Sequence, residues 1–192
     1  MDNLKERSEF WTNHYFAKTH GNSILSPFEL TPGWNKLYYD KKVLEIGPGE
    51  GRQSDILMAY TNHYCVADIS HEVLKQKRFK DCVKTYHIWN WDGNLEEEYD
   101  TICFWYVLHH IKISEGVMFF EFLKRFLVID GVLHFNYPYS VVGGSGTKNG
   151  DGIKTSQWTP ELIHDCLDFL GFGYTEVKDQ SSNNIVVKAS VI

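Results

Sequence analysis

Short apolar runs alternate along the chain with stretches whose apolar positions recur at helical spacing, the rhythm of an α/β domain built on a mostly parallel sheet. The runs predict strands over 42–47, 63–68, 83–88, 100–106, 131–137, 172–179 and 184–190. The helical spacing predicts helices over 3–19, 51–60, 70–79, 114–127 and 159–170. The last helix carries its own start signal: Thr159 at the N-cap, Pro160 at the first helical position and Glu161 in the first turn. A hydroxyl there accepts a free backbone N–H, and proline has no N–H to leave unpaired. Gly171 suits the position just past the helix end. Only Gln180-Ser181-Ser182-Asn183 separates the last two strands, so they are expected to form an antiparallel hairpin. The expectation is one domain over residues 1–192, a seven-stranded and mostly parallel sheet closed by a C-terminal antiparallel hairpin. That closure departs from a regular dinucleotide-binding sheet.

Two segments fall outside this rhythm. The first 40 residues hold a helix rich in aromatic and histidine residues (Phe10, Trp11, His14, Tyr15, Phe16, His20), then a stretch punctuated by proline and glycine. Residues 138–158 contain five glycines and no periodicity, and read as a loop without regular structure. Each has two readings. Residues 1–40 are a helical cap over a ligand pocket, or a helix on the sheet edge; residues 138–158 are a lid, or a mobile loop. The helix from Val117 to Leu127 is apolar round most of its circumference, whereas a sheet buries one face only. A homodimer contact and cover from a neighbouring helix both account for the surplus.

Composition narrows the picture. A chain of 192 residues buries roughly 70% of its unfolded surface, so it needs neither disulfides nor a structural metal to fold. Cys65, Cys82, Cys103 and Cys166 are scattered without C-x-x-C spacing and read as free thiols in a reducing compartment. The formal net charge of −6 argues against general affinity for nucleic acid or anionic membranes. The densest basic run, Lys75, Gln76, Lys77, Arg78 and Lys80, reads as a solvated helix face, or else as a local basic patch. Met1 to Arg7 lacks an apolar signal core and no apolar run is long enough to cross a bilayer, so the expected location is cytoplasmic.

The chemistry gathers at the first strand. Val43, Leu44 and Ile46 run into a turn with Gly47, Pro48, Gly49, Glu50 and Gly51. Glycines there permit left-handed backbone and close approach of a ligand, and the helix that follows turns free N–H groups toward a negatively charged group. The second strand ends at Asp68, about twenty residues on, where a carboxylate can accept both hydroxyls of an adenosine ribose. NAD and S-adenosylmethionine both carry that ribose. The G-x-G-x-G spacing, rather than G-x-G-x-x-G, and Glu45 two residues before the first glycine favour the cationic methionine amine over a pyrophosphate. An NAD-dependent reductase is disfavoured by that glycine spacing and by the terminal hairpin.

Taken in order, VLEIGPGEGR (Val43–Arg52), VADIS (Val66–Ser70), EYDTICFWYVLHHI (Glu98–Ile111), LKRFLVIDGVLHFNYP (Leu123–Pro138) and TPELIHDCLDFLGF (Thr159–Phe172) resemble successive motifs of class I S-adenosylmethionine-dependent methyltransferases of the small-molecule type. The resemblance runs from about residue 41 to the end. It implies a Rossmann-like three-layer α/β sandwich with S-adenosyl-L-methionine as cofactor. It also implies roles: Gly47, Pro48 and Gly49 beside the methionine portion, Glu45 near its amino group, Asp68 on the ribose and Ile69 packed on the adenine. The loop Asn90-Trp91-Asp92 would complete the adenine pocket, although it is short and Trp91 reads equally as packing. The backbone near Phe104 and the side chain of Trp105 would face the methionine end.

Methyl transfer from a sulfonium needs alignment above all, so the protein's part is positioning. His109 and His110 follow the fourth strand at its carboxyl end, where open α/β sheets place ligands. One of them is the candidate general base or substrate contact, with a structural helix start as the other reading. His14, Tyr15, Tyr137 and Tyr139 are further candidates for the substrate pocket. Phe104, Trp105 and Tyr106 stand where a hard cation would need acidic ligands, so no metal is expected. The rival functions are a methyltransferase-fold protein that binds cofactor or a partner without catalysis, and an RNA or protein methyltransferase.

Overall fold

The computed structural model describes residues 27–88, 95–138, 144–148, 154–178 and 184–192. The helix expected over 3–19 lies outside them, as do His14, Tyr15, Asn90, Trp91, Asp92 and Tyr139. The strands, in chain order, are β1 (Lys42–Ile46), β2 (His63–Asp68), β3 (Lys84–His87), β4 (Tyr99–Phe104), β5 (Leu127–Pro138), β6 (Gly144–Lys148), β7 (Lys154–Gln157), β8 (Phe172–Lys178) and β9 (Asn184–Val191). Seven form one sheet in the order β3-β2-β1-β4-β5-β9-β8. The pairs from β3 to β5 are parallel, and β9 is antiparallel to both β5 and β8. The apolar pattern predicts this sheet with its terminal antiparallel hairpin, and the family resemblance implies its Rossmann-like class.

Alternate strand residues face opposite sides, and both sides are buried, which is why the strands read as continuous apolar runs. On one face Leu44, Ile46, Ile102, Phe104, Leu133 and Phe135 pack with Phe119, Phe120 and Leu123 of α3 (Gly116–Lys124) and Ile163 and Leu167 of α4 (Pro160–Phe169). On the other, Val43, Val66, Cys103 and Trp105 pack with Tyr38, Leu57, Val73 and Phe79. The second face also holds a buried imidazole: the Tyr38 hydroxyl meets His134 Nδ1 and the Thr31 hydroxyl meets Nε2, each at 2.7 Å. These bonds tie the segment before β1 to β5. Burial pushes the His134 pKa down to about 3, so the ring is neutral.

The α4 start is as predicted. Thr159 is the N-cap and its hydroxyl accepts the Leu162 N–H at 3.3 Å, Pro160 opens the helix, and Gly171 follows its end at φ +70. Other helices are shorter than the spacing suggests. Within 51–60 only α1 (Ser54–Leu57) is helical, and within 70–79 α2 (His71–Leu74) stops before Gln76, which is extended at ψ 143. A correction concerns 138–158: β6 and β7 pair as an antiparallel ladder where a loop without regular structure is expected. Its glycines and small polar residues carry no apolar alternation in the sequence and hence no period to detect. The apolar surplus of the 114–127 helix is largely covered within the fold, since Phe119, Phe120, Phe122 and Leu123 are buried while Val117 and Met118 are exposed. Among the described residues no helix is long and apolar enough to cross a membrane.

Candidate functional site

Strand order reverses between β1 and β4, so the crevice outside their carboxyl ends is where such a sheet places a ligand. One lip is the glycine turn. Gly47 has φ +66, and a Cβ there would meet Val107 Cγ2 at 2.6 Å, so the turn after β1 touches the turn after β4. The Gly47 N–H donates to the Ala67 carbonyl at 2.7 Å, and the Gly51 N–H closes the turn on the Pro48 carbonyl at 2.8 Å. Gly49 has φ +54, and a Cβ there would meet nothing within 4 Å. That glycine presents bare backbone to open space. The helix that follows is only the four-residue α1. Its dipole is correspondingly small, so the helix offers an anion less than the sequence leads one to expect.

Two carboxyl groups lie under and beside this turn. Glu45 is buried at 1% exposure, and its carboxylate accepts the hydroxyls of Ser54 and Tyr64. It therefore fastens α1 and β2 to β1. Burial raises its pKa from 4.5 to about 7 against the lowering effect of the two hydroxyls. Asp68, at the tip of β2, accepts the Ser70 N–H at 2.7 Å. Backbone bonds from Gly49 and Ile69 also lower its pKa, yet burial dominates and raises it to about 7. Asp68 thus belongs to the wall of the crevice and is bonded to the glycine turn. Beside it, His87 meets the Ile69 carbonyl at 2.9 Å through Nε2 and stacks on His71 with ring centroids 3.6 Å apart.

The other lip follows β4. Phe104 is fully buried and stacks on Phe135 at 4.6 Å, while Trp105 packs edge-on against His134 at 5.0 Å on the opposite face. Both rings point into the core. The exposed aromatic at this tip is Tyr106, which the sequence reading passes over as a ligand contact. It is 39% exposed and sits at φ 58, unusual for an aromatic residue. Its N–H donates to the buried Asn136 side chain at 2.7 Å. Such backbone clusters at ligand sites, but no local sequence pattern announces it. His109 and His110 form a short 3-10 turn with rings 3.7 Å apart. Burial lowers the His109 pKa to about 4, and its Nδ1 has no hydrogen-bond partner among the described residues. Trp158, at the end of the β6–β7 hairpin, anchors this turn: its indole N–H donates to the carbonyls of Leu108 at 2.9 Å and Ile111 at 3.3 Å. Tyr137 is fully buried in the core and its hydroxyl donates to Glu176 at 3.1 Å, which places it away from an open pocket wall.

At the opposite end of the sheet His63, Cys65 and Glu97 bring donor atoms within 4.8 Å of one another. Glu97 is shared there by Lys84 at 2.8 Å and Lys42 at 3.5 Å, so the group reads as an ion-pair cluster.

A family model described as a methyltransferase domain matches residues 14–150. A search of curated proteins found no match. Several solved structures share the fold. A complex of DhpI with S-adenosylhomocysteine is 16% identical with a TM-score of 0.69, covering 98% of this chain and 97% of that one. The 1,6-didemethyltoxoflavin-N1-methyltransferase of Burkholderia thailandensis is 15% identical with a TM-score of 0.71, covering 97% and 87%. The magnesium protoporphyrin IX methyltransferase of Synechocystis is 14% identical with a TM-score of 0.70, covering 100% and 98%. With the glycine turn, Asp68 and the β1/β4 crevice arranged as described, the match over residues 14–150 shows that the chain belongs to the methyltransferase-domain family, as a class I methyltransferase.

Proposed function

We propose that this chain transfers a methyl group from S-adenosylmethionine to an oxygen or nitrogen of a small-molecule acceptor. The observation that carries this reading is one crevice holding both the open backbone of Gly49 and the Asp68 carboxylate bonded to it. The residues fit the cofactor. Gly49 offers bare backbone to its methionine end, with Gly47 and Pro48 shaping the turn behind it and Glu45 two residues below Gly47 on β1. A carboxylate has about four lone-pair sites, so Asp68, with backbone bonds from Ser70, Gly49 and Ile69, keeps about one for a ribose hydroxyl. Half-buried Ile69 offers an apolar face to the adenine, and Asn90, Trp91 and Asp92, which follow β3, are assigned to its far edge.

Bound there, the cofactor supplies an electrophilic sulfonium methyl. The chain's own residues align the acceptor with it, a contribution of about 7–11 kcal/mol when reacting atoms are well placed. His109 is neutral at physiological pH, and its low pKa makes it a weak base. It is assigned to orient an acceptor hydroxyl or amine by hydrogen bonding, a role that suits acceptors that are already acidic or already nucleophilic. Tyr106 and His110 share that rim; His14, Tyr15 and Tyr139 are assigned to the pocket's cover with residues 1–40 and the β6–β7 hairpin. The net charge of −6 supports a small acceptor over RNA. Two of the fold's neighbours are themselves named for small-molecule methylation.

Calorimetric titration with S-adenosylmethionine, S-adenosylhomocysteine and NAD tests the cofactor. Binding of the first two and not of NAD is expected; absence of both overturns the reading. Release of S-adenosylhomocysteine across fractionated metabolite pools then tests turnover. Binding with silence across every pool would favour a cofactor-binding protein without catalysis.

A further inference from the structure

The basic segment from Lys75 to Lys80 takes no part in the scheme above, yet it reaches the glycine turn. The helix breaks at Gln76, which is extended at φ −60 and ψ 143. From there the half-buried Gln76 amide donates to the Gly49 carbonyl at 2.8 Å. The Gly49 N–H is taken on its other side by the Asp68 carboxylate. The Gly49 residue is therefore gripped at both its donor and its acceptor. It needs such restraint, because a glycine with nothing within 4 Å of its open side has no side chain of its own to fix its orientation.

Arg78 makes a second contact. A Cβ on Gly51 would overlap the Arg78 side chain, and the guanidinium closes on Asp55 in α1 at 2.7 Å. The missing side chain at Gly51 thus makes room for Arg78, not for a ligand. Lys75, Lys77 and Lys80 stay exposed, as a solvated face requires, while Gln76 and Arg78 of the same segment wall the turn from outside.

We propose that Gln76 is a positioning residue for the cofactor: it acts through Gly49, without touching the cofactor, by fixing the peptide that faces the methionine end. Arg78 braces the same turn from the far side of Gly51. This rests on the function proposed above and names what preorganises its site.

The test compares full-length Gln76→Ala, Gln76→Glu and Gln76→Lys with the wild type, using S-adenosylhomocysteine as probe. Losing one hydrogen bond to a carbonyl predicts about a fivefold to tenfold weaker affinity for Gln76→Ala in calorimetry. Gln76→Glu has similar size but no donor and is expected to bind at least as weakly. Gln76→Lys keeps a donor of similar reach and is expected to stay within about twofold of wild type. Hydrogen exchange of the ligand-free Gln76→Ala protein should speed up at residues 48–51 while its melting temperature holds. Binding by Gln76→Ala and Gln76→Glu within twofold of the wild type overturns the proposal. So does a parallel fall in affinity and melting temperature with no exchange change confined to 48–51, which would mark a general structural role. A wild type that fails to bind the probe overturns the function proposed above, and this inference with it.

Discussion

At the scale of single residues the site turns on two buried carboxyl groups. Burial raises both Glu45 and Asp68 to about 7. Between roughly pH 4 and 7 the folded protein keeps protons that the unfolded chain releases, so this contribution to stability is present at low pH and is lost as pH rises through 7. The melting temperature of the ligand-free protein should therefore fall from pH 5 to pH 8, and the fall should shrink in Glu45→Gln. The share of each group is on the order of 2–3 kcal/mol at most. An equal fall in the variant would count against Glu45 as its source. Affinity for the cofactor should run the other way. Ribose hydroxyls need an ionised acceptor, so S-adenosylhomocysteine should bind more tightly at pH 8 than at pH 6. Asp68→Asn should cost about tenfold or more in affinity, as expected for a hydrogen bond to a charged group, and flatten the pH profile. Asp68 was visible in the sequence because a carboxylate at a strand tip twenty residues past a glycine turn is a local pattern. Tyr106 was not, because its left-handed backbone is held by Asn136, thirty residues away.

At the scale of elements the glycine turn divides into positions with different reasons for glycine. All three glycines have positive φ, so any side chain there is strained. Gly47 also abuts Val107, whereas Gly49 faces open space. Gly47→Ala should mainly lower the melting temperature. Gly49→Ala should mainly weaken S-adenosylhomocysteine binding, because its methyl group enters the crevice. Equal effects of the two on stability and affinity would remove the distinction. The β6–β7 hairpin shows where patterning fails: its ladder is paired through backbone groups, and its glycines and small polar residues carry no alternation. The anchor that fixes it, Trp158 against the Leu108–Ile111 turn, spans about fifty residues of chain.

At the scale of the whole molecule, ligand binding must appear as stability. A ligand that binds only the folded state adds about 2.7 kcal/mol at a hundred times its dissociation constant. Saturating S-adenosylhomocysteine should raise the melting temperature by several degrees, while NAD at the same concentration should leave it unchanged. The parallel sheet, its antiparallel closure, the glycine turn and Asp68 could all be named from residue order, because strands buried on both faces and turns needing left-handed backbone leave marks within a few residues of chain. Packing settled the remainder. It turned Phe104 and Trp105 into the core and left Tyr106 at the rim. It set the neutral His134 between Tyr38 and Thr31, and it brought Gln76 from a basic run onto Gly49. Each of those contacts joins residues tens of positions apart, and no local spacing specifies which distant partner a side chain meets once two faces of a sheet are closed.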